Sequence, residues 1–148
     1  MTDTAVHTQS KQYTTFLLGG LYLGVEVLKV QELIRHQEMT RVPLAPAVVR
    51  GLINLRGQIV TAVDVRRRLG MPDLATDTPP MNVVVITSDG AASLLVDEIC
   101  DVVEVQDDQF EPPPDTLREG VADFVTGVYK LPDRLLLVLD VDRALDLN

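Results

Sequence analysis

Between Gly51 and Val65 the apolar side chains keep a two-residue period: Ile53, Leu55, Ile59, Val63 and Val65 share one parity, while Asn54, Arg56, Gln58 and Asp64 share the other. That period belongs to an extended strand with one buried face and one presented face. The presented row is polar where no core requires it. It is the first place to look for function.

Short runs of the same kind, separated by turn residues, recur along the 148 residues. Tyr13 to Leu18 and Leu21 to Val25 flank Gly19-Gly20 and predict a hairpin. Val27 to Ile34 fits a short helix or an irregular strand edge, because Val27, Val30 and Ile34 have helical spacing yet are β-branched. Pro43 and Pro46 bracket a loop, Ala47 to Arg50 can form one helical turn, and Val65 to Leu69 predicts a short helix stopping at Gly70. Residues 71–80, rich in Pro, Asp and Thr, mark the expected divide between two subdomains, near 71–81.

Asn82 to Thr87 and Ala91 to Asp97 predict a second hairpin, with Asp89-Gly90 supplying positive φ at its turn. Asp101 to Val105 reads as a strand ahead of an acidic, proline-rich loop from Asp107 to Asp115. Thr126 to Leu131 and Arg134 to Val141 frame a turn at Pro132-Asp133. Leu135 to Leu139 is apolar on both faces, as expected of a centrally buried strand, and a short helix follows Asp140. Roughly eight to ten short strands with very little helix predict small barrels or a sandwich, between which periodicity does not choose. Residues 1–12 are expected as a flexible tail and 13–148 as one domain.

Composition narrows the function classes. A hydrophobic content of 46% supplies a core for one compact domain or two small intertwined halves. A net charge of -9 argues against nucleic acid as partner. Residues 1–70 hold nine Lys and Arg against five Asp and Glu, whereas residues 71–148 hold four against seventeen, a split that can steer different partners to different faces or simply solvate an acidic surface. There is no apolar run of about eighteen residues, and Met1-Thr2-Asp3-Thr4 lacks the features of a secretion signal. A cytoplasmic protein without membrane insertion is expected. The single Cys100 allows no disulfide or thiolate site within the chain and reads as a small buried hydrophobe.

No catalytic constellation is present in the sequence. It lacks a Gly-x-Ser-x-Gly elbow, a phosphate loop and a nucleotide-binding glycine fingerprint. His7 and His36 have no second ligand at metal spacing, and the acidic stretch from Asp97 to Asp108 alternates with valines as a strand does. No catalytic residue, metal or cofactor is expected. Asp64 is placed to cap the Val65 helix, and Arg66-Arg67-Arg68 reads as a solvated helix surface, with pairing to the acidic half or a weak basic patch as alternatives.

Gly51, Asn54-Leu55-Arg56-Gly57, Ile59-Val60 and Asp64 together resemble the signature of the CheW family, the coupling proteins of bacterial chemotaxis. The likeness continues through Val27-Leu28-Lys29-Val30-Gln31-Glu32, Leu95-Val96-Asp97 and Thr126-Gly127. It implies a mainly β fold of two intertwined SH3-like five-stranded barrels, with strands exchanged across the subdomain boundary and few short helices. It also implies a non-catalytic scaffold of two-component signal transduction. Such an adaptor couples the cytoplasmic tips of chemoreceptors, the methyl-accepting chemotaxis proteins, to the regulatory domain of a CheA-type histidine kinase, in arrays at the inner face of the membrane. Carried over residue by residue, it implies partner-binding roles for Val30, Glu32, Gly51, Asn54 and Arg56, and for Val83 and Val84 in a groove between subdomains. From sequence alone Val83 and Val84 read equally as core. Thr61 stands where the family has proline, and Ser93 and Glu98 replace small residues, differences expected to alter the second subdomain's surface.

Arg56 is the residue singled out for contact, because a guanidinium on a rigid strand face can grip a carboxylate in a bidentate manner. An internal salt bridge to Glu32 is the alternative, and the two roles are compatible. Rival readings are an adaptor of another chemosensory pathway, serving surface motility or developmental signalling, an enzyme on a small β scaffold, and a ligand-binding barrel, the last disfavoured by an aromatic content of 4%.

Overall fold

A computed structural model describes residues 9–74 and 78–147, and among them the chain forms ten strands and three four-residue helices. The strands are β1 (Ser10–Leu18), β2 (Leu21–Glu26), β3 (Val30–Ile34), β4 (Val49–Leu55), β5 (Gln58–Asp64), β6 (Met81–Thr87), β7 (Gly90–Val96), β8 (Glu98–Gln106), β9 (Val125–Lys130) and β10 (Leu135–Leu139). The helices are α1 (Val65–Arg68), α2 (Glu119–Ala122) and α3 (Val141–Ala144). The expected hairpins, the short helix after Asp64 and the helix after Asp140 are all present. Val27–Lys29 resolves into a 3-10 turn ahead of β3, whereas the helical turn expected over 47–50 is absent because β4 already begins at Val49. β1 begins at Ser10, inside the segment expected as a tail, and residues 1–8 lie outside the described residues.

Two five-stranded sheets result, with orders β8-β1-β2-β10-β9 and β3-β6-β7-β5-β4. Neighbours are antiparallel except for β2–β10 and β5–β7, which run parallel. The chain therefore changes sheets at the Val27–Lys29 turn and again at Asp97. The divide expected near 71–81 is corrected: β5 and β6, which flank that segment, belong to one sheet. Proline and aspartate there mark a connection within a unit.

Apolar alternation makes three cores from these two sheets. Tyr13, Tyr22, Tyr129, Leu136 and Val138 fill the first sheet's own concave side, with Cys100 half-buried against them, and burial pushes that thiol's pKa up. Ile53, Leu55, Val60, Ala62 and Val84 do the same in the second. The largest core lies between the sheets, where Phe16, Leu23, Val25, Leu137 and Leu139 meet Val83, Val85, Leu94 and Val96. β10 is buried on both faces because its even-numbered leucine and valine point into one core and its odd-numbered leucines into the other. At roughly 1.5–3 kcal/mol for each fully buried aliphatic side chain, this central layer is the largest favourable term in joining the halves.

Each sheet is closed by one isolated antiparallel pair. Thr40 exchanges backbone hydrogen bonds of 2.9 and 2.8 Å with Leu52, and Glu111 exchanges bonds of 2.9 and 2.8 Å with Val128. Both closures pass directly over a glycine. A Cβ on Gly51 would stand 2.7 Å from the Thr40 carbonyl oxygen, and one on Gly127 would stand 2.6 Å from that of Glu111. Backbone cannot yield there as a side-chain tip could. Gly51→Ala and Gly127→Ala should each destabilise by about 1–3 kcal/mol in urea unfolding, whereas Gly20→Ala, with nothing within 4 Å of its Cβ, should stay within about 0.5 kcal/mol.

Candidate partner-binding surface

The register of β4 against β5 pairs Leu55 with Gln58 and leaves Arg56 and Gly57 as a two-residue turn. Their φ values of 51° and 91° are those of a type I′ hairpin, which matches the right-handed strand twist but requires positive φ at both positions. Gly57 takes this freely. Arg56 takes it under strain, and the turn is fixed by Gly57 N donating to Asn54 Oδ1 at 2.9 Å. Arg56 thus stands at a turn, a correction to its expected place on a strand face.

The turn also restarts the alternation. Ile53 pairs with Val60 and Asn54 with Ile59, so in β5 Val60 and Ala62 face inward while Ile59 is 59% exposed beside Asn54. Ile59 was expected in the core and Asp64 on the presented face, and both are reversed. Asp64 is buried, where it caps α1 by accepting from Arg67 N at 3.1 Å and pairs with Arg50 Nη1 at 2.9 Å.

Arg56 reaches across to β3 and grips Glu32 with both terminal nitrogens, Nη1 donating to Oε1 at 3.0 Å and Nη2 to Oε2. The guanidinium side chain remains 72% exposed while Glu32 is at 22%. Hydrogen bonding to Arg56 holds the Glu32 carboxyl below the usual carboxylate range, and the Arg56 pKa rises for the same reason. Beside the pair, Gln31 Nε2 donates to Gln58 Oε1 at 3.4 Å. The result is a rigid display of Asn54, Arg56, Gln58 and Ile59 at the end of the second sheet. Its arginine is oriented by an internal carboxylate and open to an external one.

The other residues implied for partner contact occupy different environments. Val30 is half-buried and packs on the central core. Gly51 lies under the Thr40 carbonyl. Val83 and Val84 have no exposed surface, Val83 lying in the core between the sheets and Val84 inside the second sheet's curve. Both valines are packed among core side chains, Val83 with those that join the sheets and Val84 with those inside the second sheet. Ile59 was missed because the turn was read through as strand. The glycine of Arg56-Gly57 is the signal that reveals it.

Residues 12–148 match the family of CheW-like domains. The chain belongs to this family. It is 30% identical over 146 residues to the chemotaxis protein CheW of Rhizobium meliloti, covering 97% of this chain and 94% of that one. It is 28% identical over 141 residues to CheW of Klebsiella aerogenes, covering 95% and 85%. The crystal structure of the scaffolding protein TtCheW from Thermoanaerobacter tengcongensis superposes with a TM-score of 0.85 at 25% identity, covering 95% of both chains.

The differences from the CheW-like signature fall mostly inside. Ser93 is fully buried and donates to Asn82 Oδ1 at 2.7 Å, and Asn82 Nδ2 donates to the Arg35 carbonyl at 3.0 Å, so this departure pins β7, β6 and β3 together and leaves the surface unchanged. Thr61 sits mid-ladder opposite Leu52 and Ala92, where a proline would offer no N–H. Glu98 alone of the three is exposed.

Nor is the arginine triplet of α1 a free basic patch. Arg66 grips Asp97 at 2.8 and 2.6 Å, Arg67 grips Asp73 at 3.0 Å through two nitrogens, and Arg68 donates to the Arg143 and Asp146 carbonyls while lying 4.9 Å over the Phe124 ring. Among the described residues no helix is long and apolar enough to cross a membrane, and no group of three or more His, Cys, Asp or Glu side chains could hold a metal.

Glu32 has a lowered folded pKa, so the pair contributes above the unfolded value near 4.5 and is lost as pH falls through the folded one. A carboxyl-carbon NMR titration should place Glu32 below that value in the wild type and return it toward the value in Arg56→Gln. An unchanged Glu32 titration in the variant would show that the pair does not form in solution.

Proposed function

We propose that this chain is a non-catalytic adaptor of bacterial chemotaxis, coupling the cytoplasmic tips of chemoreceptors to the regulatory domain of a CheA-type histidine kinase. Membership of the CheW-like family and likeness to a scaffolding protein support this class. The observation that carries the residue-level reading is the Arg56–Glu32 pair, whose guanidinium is held in place by the chain yet left 72% open. Preorganisation of this kind lowers the entropy lost on docking a partner carboxylate or helix C-terminus. Asn54 and Gly57 hold the turn, Glu32 orients the arginine, and Ile59 adds exposed apolar area beside it. Val30 and Gly51 act beneath this surface, by packing β3 and by closing the sheet.

The adaptor works in the cytoplasm, at arrays on the inner face of the membrane. It makes and breaks no bonds, and signal passes as a change in the geometry and population of its interfaces. Individually weak contacts suffice when an array multiplies them through effective concentration.

Isothermal titration with the regulatory domain of the CheA-type kinase and with a receptor-tip fragment tests the reading. Arg56→Glu removes an exposed ion pair and should change unfolding stability by no more than about 1 kcal/mol. It should weaken association with at least one partner by roughly tenfold or more. Saturable wild-type binding that Arg56→Glu leaves unchanged moves the contact away from this turn, and absence of wild-type binding to either partner overturns the adaptor reading.

A further inference from the structure

The chain has three tyrosines, and all three lie in the core of the first sheet. Tyr13 on β1 and Tyr129 on β9 have β2 and β10 between them in that sheet, yet its curvature brings their rings together across the concave side, with centroids 5.5 Å apart and planes inclined at 56°. Both side chains are buried, and the Tyr13 hydroxyl is hydrogen-bonded to that of Tyr129. On its other side Tyr129 meets Phe110, with centroids 5.2 Å apart, while Tyr22 lies under the Arg134 guanidinium. Among the described residues no other two phenol rings are in contact.

Burial, the hydrogen bond to Tyr129 and the nearby Glu26 raise the Tyr13 pKa. This phenol therefore keeps its proton at neutral pH and releases it only together with an electron. An open cavity of about 330 Å³ is lined by both tyrosines and by Phe110, and it gives a small solute a path to the pair. Two oxidisable rings are thus held in contact, close to solvent, with no other phenol for either to meet.

We propose that Tyr13 and Tyr129 are a site of oxidative cross-linking, joined ring to ring as dityrosine by a small one-electron oxidant such as the carbonate radical anion. Each phenol gives one electron to an oxidant molecule and one proton to solvent. The two phenoxyl radicals then couple through carbons ortho to oxygen, and the hydrogens on those carbons move to the oxygens, which restores both rings. Two oxidant molecules are reduced to carbonate, and the chain loses two hydrogen atoms. The new bond ties β1 to β9 and fixes the closure of the first sheet, which otherwise depends on packing and backbone pairing. Constraining so long a loop in the unfolded chain stabilises the folded one. The inference is independent of the adaptor reading.

The full chain is exposed to carbonate radical generated by photolysis, beside Tyr22→Phe, Tyr13→Phe, Tyr129→Phe and Cys100→Ala. The wild type should give a monomer lighter by two hydrogen atoms, with the blue emission of dityrosine and a higher melting temperature than the untreated chain. After trypsin, peptide 12–29 should be joined to peptide 119–130. The first of these holds both Tyr13 and Tyr22, so Tyr22→Phe should keep the product, whereas Tyr13→Phe and Tyr129→Phe should each abolish it. Cys100 packs on the same core, and its thiol can reduce a phenoxyl radical, so Cys100→Ala should raise the yield. Fragmentation of the joined wild-type peptides assigns the bond even where a variant fails to fold. A bond mapped to Tyr22, coupling found only between chains as dimers, or no coupling in either the wild type or Cys100→Ala overturns the proposal.

Discussion

The structure depends on strands that are apolar on both faces. A strongly curved five-stranded sheet buries its concave side by itself, but each of these sheets is apolar on its outer side as well, and that second face has no cover except the other sheet. β2, β6, β7 and β10 each send alternate residues into a private core and into the shared one. Neither half can therefore be stable alone without exposing Leu23, Val83, Leu94 and Leu137 to water. The shared layer fixes the relative placement of every surface patch, including the Arg56 turn.

The two units repeat one plan. In each, a strand on the outside pairs with a hairpin, the hairpin's second strand runs parallel to a strand ending in a capping aspartate, and a glycine admits the closing backbone pair. Asp64 caps α1 and Asp140 caps α3 through the same bond to the third residue of the helix, at 3.1 Å in both cases. The order of use differs. The second sheet takes β3 to β7 in sequence, whereas the first takes β8, β9 and β10 and completes itself with β1 and β2. The N-terminal hairpin occupies the place that β6 and β7 hold in the other unit, so the first sheet closes only when residues more than a hundred positions apart meet. Contacts of this range slow folding, because loop closure precedes the burial that rewards it.

Much of this was legible in the residues. Gly19-Gly20, Asp89-Gly90 and Pro132-Asp133 marked hairpins because turns demand those residues, and Leu135 to Leu139 marked a doubly buried strand because no one-sided strand is apolar throughout. The misreadings share one cause. Periodicity reports parity along an unbroken strand and has no way to count a two-residue turn, so one unrecognised hairpin at Arg56-Gly57 put Ile59 on the wrong face. Segment 71–80 looked like a domain boundary because connections within and between units use the same polar and proline-rich residues. Asp64 looked presented because burial of a carboxylate depends on Arg50 and on the N–H groups of α1, partners that alternation does not show. Pairing across units, and with it the true divide at Asp97, is a long-range property that local pattern does not encode.

Asp97 itself shows how the halves are made one body. Burial works to raise its carboxyl pKa, but hydrogen bonds from Arg66 and from the Gly19 N–H outweigh this and hold it below the usual range, so it stays ionised where the chain passes from one sheet to the other. A half-buried pair of this kind adds little net stability, since desolvation consumes most of the attraction, but it tolerates only one geometry. Asp97 accepts from both Arg66 of α1 and the Gly19 N–H of the β1–β2 turn and so ties the two together, and Arg68 fixes α1 to the carbonyls at the end of α3. Each arginine holds two elements that the hydrophobic layer alone would allow to slide. A chain braced this way moves as one body: displacing one sheet carries the other with it.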